Sequence, residues 1–382
     1  MKTTEIKFLQ IYKLGLYQPS PDSEIFRQLI EALHGTNEEE WAEIVDIALI
    51  QTVVGQVTDG MMLLPHNMQP SRNIYFSLLK KVSDVETENK RMNAFVPILM
   101  YKLIGKGCHC LLLKGQGAAV NYAMPLHRQP GDIDLFFPQD DDYQQAKLLL
   151  EQVSDRVGGE KSGRKHSDYD CAGFVVELHG DIHSSICRQC DKHLMDWAKR
   201  RIEPIQKLSI TEAAISGKPS EILIASDNFN VLFIFIHLLN HFMNGGIGLR
   251  QISDWMMYMD KNYTKINTKL LEEDINMLGV RKFWCLFAVL AVEFLGFPKH
   301  HMPFYETGQE EKAMQLMENV LSTGNFGARQ KKKQLPVNAN PILKKLVTFA
   351  GQIPVYSRNA KLFPGESAYC FLKFMGSAVR DI

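Results

Sequence analysis

What the chain lacks narrows its possibilities first. No apolar stretch approaches the roughly 20 residues that a membrane-crossing helix needs; the longest, such as Val231 to Leu239, stop well short. There is no excess of either charge, with 43 Lys and Arg against 43 Asp and Glu. A balanced chain has no overall basic field to attract nucleic acid at long range, so only a local patch could do so. The seven cysteines are odd in number and scattered without a framework spacing, which excludes a disulfide scaffold and points to reduced thiols in the cytoplasm. Cys187 and Cys190 form a single C-x-x-C, which is half of a zinc site. The first residues carry charge among their apolar positions and show no uninterrupted apolar core before a small-residue cleavage site, so no export signal is expected. Internal repeats and low-complexity segments are also missing.

What is present is enough apolar material, 45% of 382 residues, to fill two or three domains of about 150 residues each. From Ser23 to about Leu64 apolar residues recur at helical spacing, for example Ile25, Leu29, Ile30 and Leu33, and Pro65 ends the pattern. A second helical pattern runs from Ser71 to Lys106 across Pro97. Residues 1–100 are therefore expected to form a helical region that packs against, or closes over, a site built elsewhere. Between Gly105 and Ser209 the pattern turns to short apolar runs separated by glycines and helices. Strands are expected at His109 to Leu113, Asp132 to Phe137 and Phe174 to His179, with helices at Gly115 to Tyr122 and Asp140 to Val153, and a polar loop from Gly158 to Ser167. From about Ser220 the chain reads as helical again, over Ile222 to Met243, Gly248 to Tyr263, Leu270 to Phe297 and Ile342 onward, with an exposed basic loop at Arg329, Lys331, Lys332 and Lys333. The expected fold is α+β: a small mixed-sheet core over residues 101–215, flanked by helical regions over 1–100 and 216–382.

The chemistry is expected in Leu111 to Phe137, LLLKGQGAAVNYAMPLHRQPGDIDLFF. Because strand side chains alternate faces, Asp132 and Asp134 point one way while Ile133 and Leu135 point the other. Two like charges so close call for a cation. Phosphoryl and nucleotidyl transfer use carboxylate-held Mg²⁺ for this purpose, although a D-x-D in a strand fits a structural ion pair or a surface cation site equally well. Glu177 is the leading third carboxylate, since it sits in an otherwise apolar strand and shares a face with Val175 and His179; a buried carboxylate needs a partner. Lys114 and Gly115 precede a helix whose free first-turn amides would favour phosphate, with glycine allowing close approach. Arg128, just upstream of the carboxylates, suits either a phosphate or Asp132.

The run LLLKG, then Tyr122, Arg128 and GDIDLFF, followed some forty residues later by VVELHGDIH, resembles an uncharacterised bacterial nucleotidyltransferase family of the DNA polymerase β-like nucleotidyltransferase superfamily. His237, His241 and the segment Gly248 to Trp255 resemble that family's helical signature, in which Arg250 and Asp254 stand four apart on one helix face. The resemblance covers about Leu111 to Trp255. It implies that Asp132, Asp134 and Glu177 are catalytic residues and ligands for Mg²⁺ or Mn²⁺. It also implies that Lys114 and Gly115 form the turn that takes the triphosphate of an NTP, with Arg128 and Arg250 as further phosphate contacts. Arg250 is alternatively expected to pair with Asp254. The chain departs from the superfamily in having a lysine–glycine pair where a serine usually grips a terminal phosphate, so a point charge would replace that hydroxyl.

The function expected on this basis is transfer of a nucleoside monophosphate from an NTP, with ATP as the default donor, to an acceptor hydroxyl. A protein side chain, a sugar or lipid intermediate, a small molecule and an RNA end are all open as acceptors, and the neutral charge mildly disfavours nucleic acid. Two other functions are open. One is a silent nucleotidyltransferase fold that binds nucleotide or a partner as a regulator, although such a binder would not need all three carboxylates. The other is a metallohydrolase using Glu177, His179, Asp181 and His183, if their strand persists past Gly180. His237 and His241, four apart on an apolar helix, are expected to be core residues.

Overall fold

A computed structural model describes residues 1–158, 165–210, 220–328 and 341–380. Five helices come first: α1 (Thr3–Tyr17), α2 (Glu24–Glu31), α3 (Glu38–Ile50), α4 (Val54–Met62) and α5 (Arg72–Ile104). Asn37 starts α3 with a reciprocal capping box to Glu40, which satisfies two otherwise orphaned amides. The sheet region follows as β1 (Leu111–Leu113), α6 (Gly115–Ala119), β2 (Ile133–Phe136), α7 (Asp140–Val153), β3 (Arg156–Val157), β4 (His166–Cys171) and β5 (Phe174–His179). Three aspartates open α7, where the positive end of the helix dipole favours them. After α8 (Arg188–Arg201) a hairpin forms from β6 (Gln206–Ser209) and β7 (Glu221–Ile224). The rest is helical: α9 (Asp227–Asn244), α10 (Leu249–Asn262), α11 (Thr268–Met277), α12 (Arg281–Val289), α13 (Glu310–Thr323), α14 (Pro341–Ala360) and α15 (Pro364–Arg380). No helix among the described residues is long and apolar enough to cross a membrane.

The five-stranded sheet has the order β1-β2-β5-β4-β3. β2 and β5 are parallel neighbours at its centre, and the other pairings are antiparallel. This mixed sheet with flanking helices is the expected α+β fold. One face, with Leu112, Ile133, Leu135, Val176 and Leu178, packs on Val96, Leu99 and Met100 of α5 and on Tyr143 and Leu150 of α7. The other face adds Leu111, Leu113 and Phe136 to a larger apolar cluster that runs from Phe8 and Tyr12 of α1 to Trp255 and Trp284 of α10 and α12. First and last helices therefore share a core. Gln51, at the end of α3, ties them with polar bonds, donating to Val320 O at 3.1 Å and accepting from Leu249 N at 3.0 Å.

Three expectations change. Residues 166–171, placed partly in a loop, form β4, because His166, Asp168 and Asp170 alternate with the more deeply buried Ser167, Tyr169 and Cys171 and pair along β5. The helix expected from Ile222 starts at Asp227: Ser226 caps it by accepting from Phe229 N at 3.2 Å, and the apolar run before the cap pairs with β6 instead. The helix expected to reach Tyr122 is a single turn ending at Ala119, too short to add much dipole to a phosphate site. Arg329, Lys331, Lys332 and Lys333 lie outside the described residues.

Candidate active site

Parallel pairing sets Asp134 directly beside Glu177, and antiparallel pairing sets Leu113 beside Asp134 and His166 beside His179. Paired residues share a face, so two carboxylates and two imidazoles from three strands project to one side, against α9 and α10. Asp132, one residue ahead of β2, joins them: oxygens of Asp132, Asp134 and Glu177 lie within 4.8 Å of one another. Asp134 is 1% exposed. Its Oδ1 accepts from Lys114 Nζ at 2.9 Å and from His179 Nε2 at 2.9 Å. Its Oδ2 is buried with no hydrogen-bond partner among the described residues. Glu177 Oε2 stands 3.3 Å from His166 Nε2 and 3.6 Å from His179 Nε2.

The electrostatics follow from this crowding. Burial disfavours charge on Asp134, but Lys114 and His179 overcome it and hold its pKa below the ordinary carboxylate range. Asp132 is pushed up, chiefly by repulsion from Asp134. Burial also works against Glu177, and the hydrogen bond from His166 reverses the effect and lowers its pKa. Lys114 is opposed by burial, yet Asp134, Asp132 and Glu177 raise its pKa and keep it charged. One ammonium against three carboxylates leaves an excess of negative charge that a divalent cation would match.

Lys114 reaches Asp134 because the chain bends sharply between β1 and α6, with φ of +44° at Lys114 and +53° at Gly115. The first value is strained for a residue with a side chain. Its Nζ also lies 3.1 Å from His237 Nε2. An ammonium only donates, so His237 Nε2 accepts. His241 Nε2 stands 2.9 Å from the same nitrogen. Burial, with help from Lys114, holds both imidazoles neutral, His237 well below its ordinary pKa and His241 down to about 4.

A second ionic cluster borders the same cleft of about 420 Å³. Arg128 Nε and Nη2 donate to Asp254 Oδ1 and Oδ2 at 2.7 and 2.8 Å, Tyr122 Oη donates to Oδ1 at 2.7 Å, and Arg128 Nη1 donates to Gln129 O at 3.3 Å. All three Arg128 guanidinium nitrogens are thus engaged, and the carboxylate they hold is Asp254 rather than Asp132. Asp254 is held by Arg128 from the 125–131 connection, and Arg250 instead donates from Nη1 to Gln129 O and Pro130 O, both at 3.1 Å. Arg250 Nε is buried without a partner among the described residues. Burial and the nearby Arg128 push the Arg250 pKa down, which marks a cation short of an anion.

The model of an uncharacterised nucleotidyltransferase family matches residues 37–296, more than half the chain. The chain belongs to that family. No curated protein and no solved structure matches it. The match includes α3 to α5 as well as the sheet, so in this nucleotidyltransferase the family extends upstream of Leu111, where the motif resemblance begins.

Asp132, Asp134, Glu177, Lys114, Gly115, Arg128 and Arg250 all line this same cleft. His237 and His241 line it too, contrary to the expectation of core histidines, because their helix face turns to the sheet rather than into the bundle. His166 was not singled out by sequence reasoning; the polar alternation of HSDYDC was its only signal. Strand β5 ends at His179, and His183 Nε2 turns to Asp181 Oδ2 at 2.7 Å, so the four-residue strand face of the metallohydrolase reading does not form. All seven cysteines are free and buried. Cys187 Sγ serves as the helix cap of α8, accepting from Cys190 N at 3.4 Å.

Proposed function

We propose that this family member transfers a nucleoside monophosphate from an NTP, by default ATP, to an acceptor hydroxyl with the help of Mg²⁺ or Mn²⁺, as in the DNA polymerase β-like nucleotidyltransferase superfamily. The observation that carries the reading is the convergence of Asp132, Asp134 and Glu177 oxygens within 4.8 Å of one another, in a group where Asp134 Oδ2 is buried without a partner among the described residues. A lone pair buried without a donor is costly unless a cation takes it up, and an all-oxygen donor set suits a hard divalent ion. Asp132, Asp134 and Glu177 would hold that ion, which when bound supplies charge neutralisation on the triphosphate.

The chain's own groups account for the rest. Glu177, with His166 Nε2 at 3.3 Å, takes the acceptor hydroxyl's proton, and Asp134 is the alternative base. Lys114 keeps Asp134 ionised and sets a fixed positive charge beside the developing negative charge of the leaving pyrophosphate. Arg250, with its unpartnered Nε, is the phosphate contact better supported of the two arginines. Arg128 positions α10 through Asp254. Seven free, buried cysteines fit a reducing compartment such as the cytoplasm. The acceptor is a hydroxyl on a protein, a sugar or another small molecule.

The test is incubation with α-labelled NTPs, Mg²⁺ and cell extract, comparing wild type with the Asp132→Asn, Asp134→Asn double variant. Label moved by the wild type and lost in the variant supports the reading. No label from either protein, together with equal stabilisation of both by NTP and Mg²⁺, overturns it.

A further inference from the structure

Phe326 stands at the end of the cleft away from the strands. It lines the cleft and is 51% exposed, so the ring is open to a ligand there. Its backbone is left-handed, with φ of +50° and ψ of +30°, which a phenylalanine adopts only where its surroundings impose it. The surroundings do impose it. Gln251 Nε2 donates to Asn325 Oδ1 at 2.5 Å. A side chain at Gly324 would strike Ile50 Cγ2 at 2.2 Å, and one at Gly246 would come within 3.2 Å of Gly327 N. The turn is clamped between the end of α3, the end of α9 and the start of α10, and the clamp holds an aromatic ring out of the core.

A continuous line of side chains joins this ring to the carboxylates. Asp134 meets Lys114 at 2.9 Å, Lys114 meets His237 at 3.1 Å, His237 meets His241 at 2.9 Å, and the His241 ring stands 4.9 Å from that of Phe326 in an edge-to-face arrangement. One end of the line is charged and oxygen-rich. The other is aromatic, and the two imidazoles between them are neutral. A nucleotide has the same polarity: phosphates at one end, an uncharged ribose, then a flat π-face.

We propose that Phe326, backed by His241, is the platform on which the nucleobase of the bound nucleotide stacks. This rests on the nucleotidyltransferase reading of the carboxylate end. Phe326 lies beyond residues 37–296, the span matched by the family, so the platform is a feature of this chain rather than of the matched region. Stacking on a single ring tolerates every base, and the platform holds the nucleotide without choosing among purines and pyrimidines.

The test is calorimetric binding, in Mg²⁺, of the four common ribonucleoside triphosphates and of inorganic tripolyphosphate to wild type, Phe326→Ala and Phe326→Trp. Phe326→Ala is expected to weaken the nucleotides by about 10- to 100-fold, the effect of losing one stacked ring, and to leave tripolyphosphate unchanged. Phe326→Trp is expected to bind nucleotides at least as well as wild type. The proposal is overturned if Phe326→Ala binds nucleotides like wild type, or if it loses nucleotide and tripolyphosphate in the same proportion. It is also overturned if the wild type binds tripolyphosphate alone. A wild type that binds neither removes the nucleotidyltransferase reading itself, and the platform with it. Equal melting temperatures of the three proteins establish that folding is not the variable, as expected for a half-exposed ring.

Discussion

Two buried ionic clusters border one cleft, and they differ in whether their hydrogen bonds close. Around Asp254 both carboxylate oxygens and all three guanidinium nitrogens of Arg128 are engaged, with Tyr122 completing the set. Around Asp134 one oxygen is doubly engaged and the other has no partner among the described residues, and a neighbouring aspartate is raised by repulsion. Both carboxylates are buried, so burial alone does not separate them. The set around Asp254 closes on itself, whereas the set around Asp134 stays open among the described residues and carries surplus negative charge.

The largest expected effect comes from opening the closed cluster. Asp254→Ala leaves the Arg128 guanidinium buried without its counter-charge and is expected to cost about 3–5 kcal/mol of stability, read as a lowered urea midpoint with unchanged slope. The open cluster should behave in the opposite way. Asp132→Asn removes one of two repelling charges, so stability is expected to hold or rise slightly. Label transfer is expected to fall by about 10²–10³-fold, the scale of losing one preorganised electrostatic partner. If Asp132→Asn destabilised the protein as much as Asp254→Ala, the distinction between the clusters would collapse.

The smallest expected effect is a pH-dependent one at a third buried arrangement. His127 Nδ1 lies 2.6 Å from Asp59 and Nε2 lies 2.8 Å from Glu86, bridging α4 and α5 at the connection that carries Arg128. Burial opposes its charge, but the two carboxylates prevail and raise its pKa above 6.5. A raised imidazole stabilises the fold in its protonated form, so its contribution is complete below about pH 6.5 and is lost as pH climbs through the higher native value. Melting curves across this range should show the advantage of wild type over His127→Gln shrinking as pH rises; an advantage that grows would reverse the assignment.

Much of the open cluster is legible in the amino-acid sequence. Asp134 and Glu177 stand out because a carboxylate inside an apolar strand run has a face and a cost that can be read from alternation, and Asp132, one residue ahead of its strand, joins them through the D-x-D spacing and the family resemblance. His166 is hidden, since its strand is half polar and takes its position from pairing with β5. His237 and His241 are readable as neighbours on a helix, but nothing in their spacing tells which side of α9 meets the sheet. Arg250 and Asp254 stand at the spacing of an ion pair, yet a third residue, Arg128, arrives from a connection more than a hundred positions away and takes the carboxylate.

By itself, then, the amino-acid sequence determined which residues carry charge into apolar surroundings, because local periodicity decides which face of a strand or helix each side chain occupies. It also determined the mixed sheet with helical flanks, through the alternation of short apolar runs with amphipathic stretches. The tertiary structure alone decided which of those charges are satisfied. Hydrogen-bond closure depends on the position of a partner to within a few tenths of an ångström, and that position is set by how β5, α9 and α10 pack together, not by any spacing along the chain.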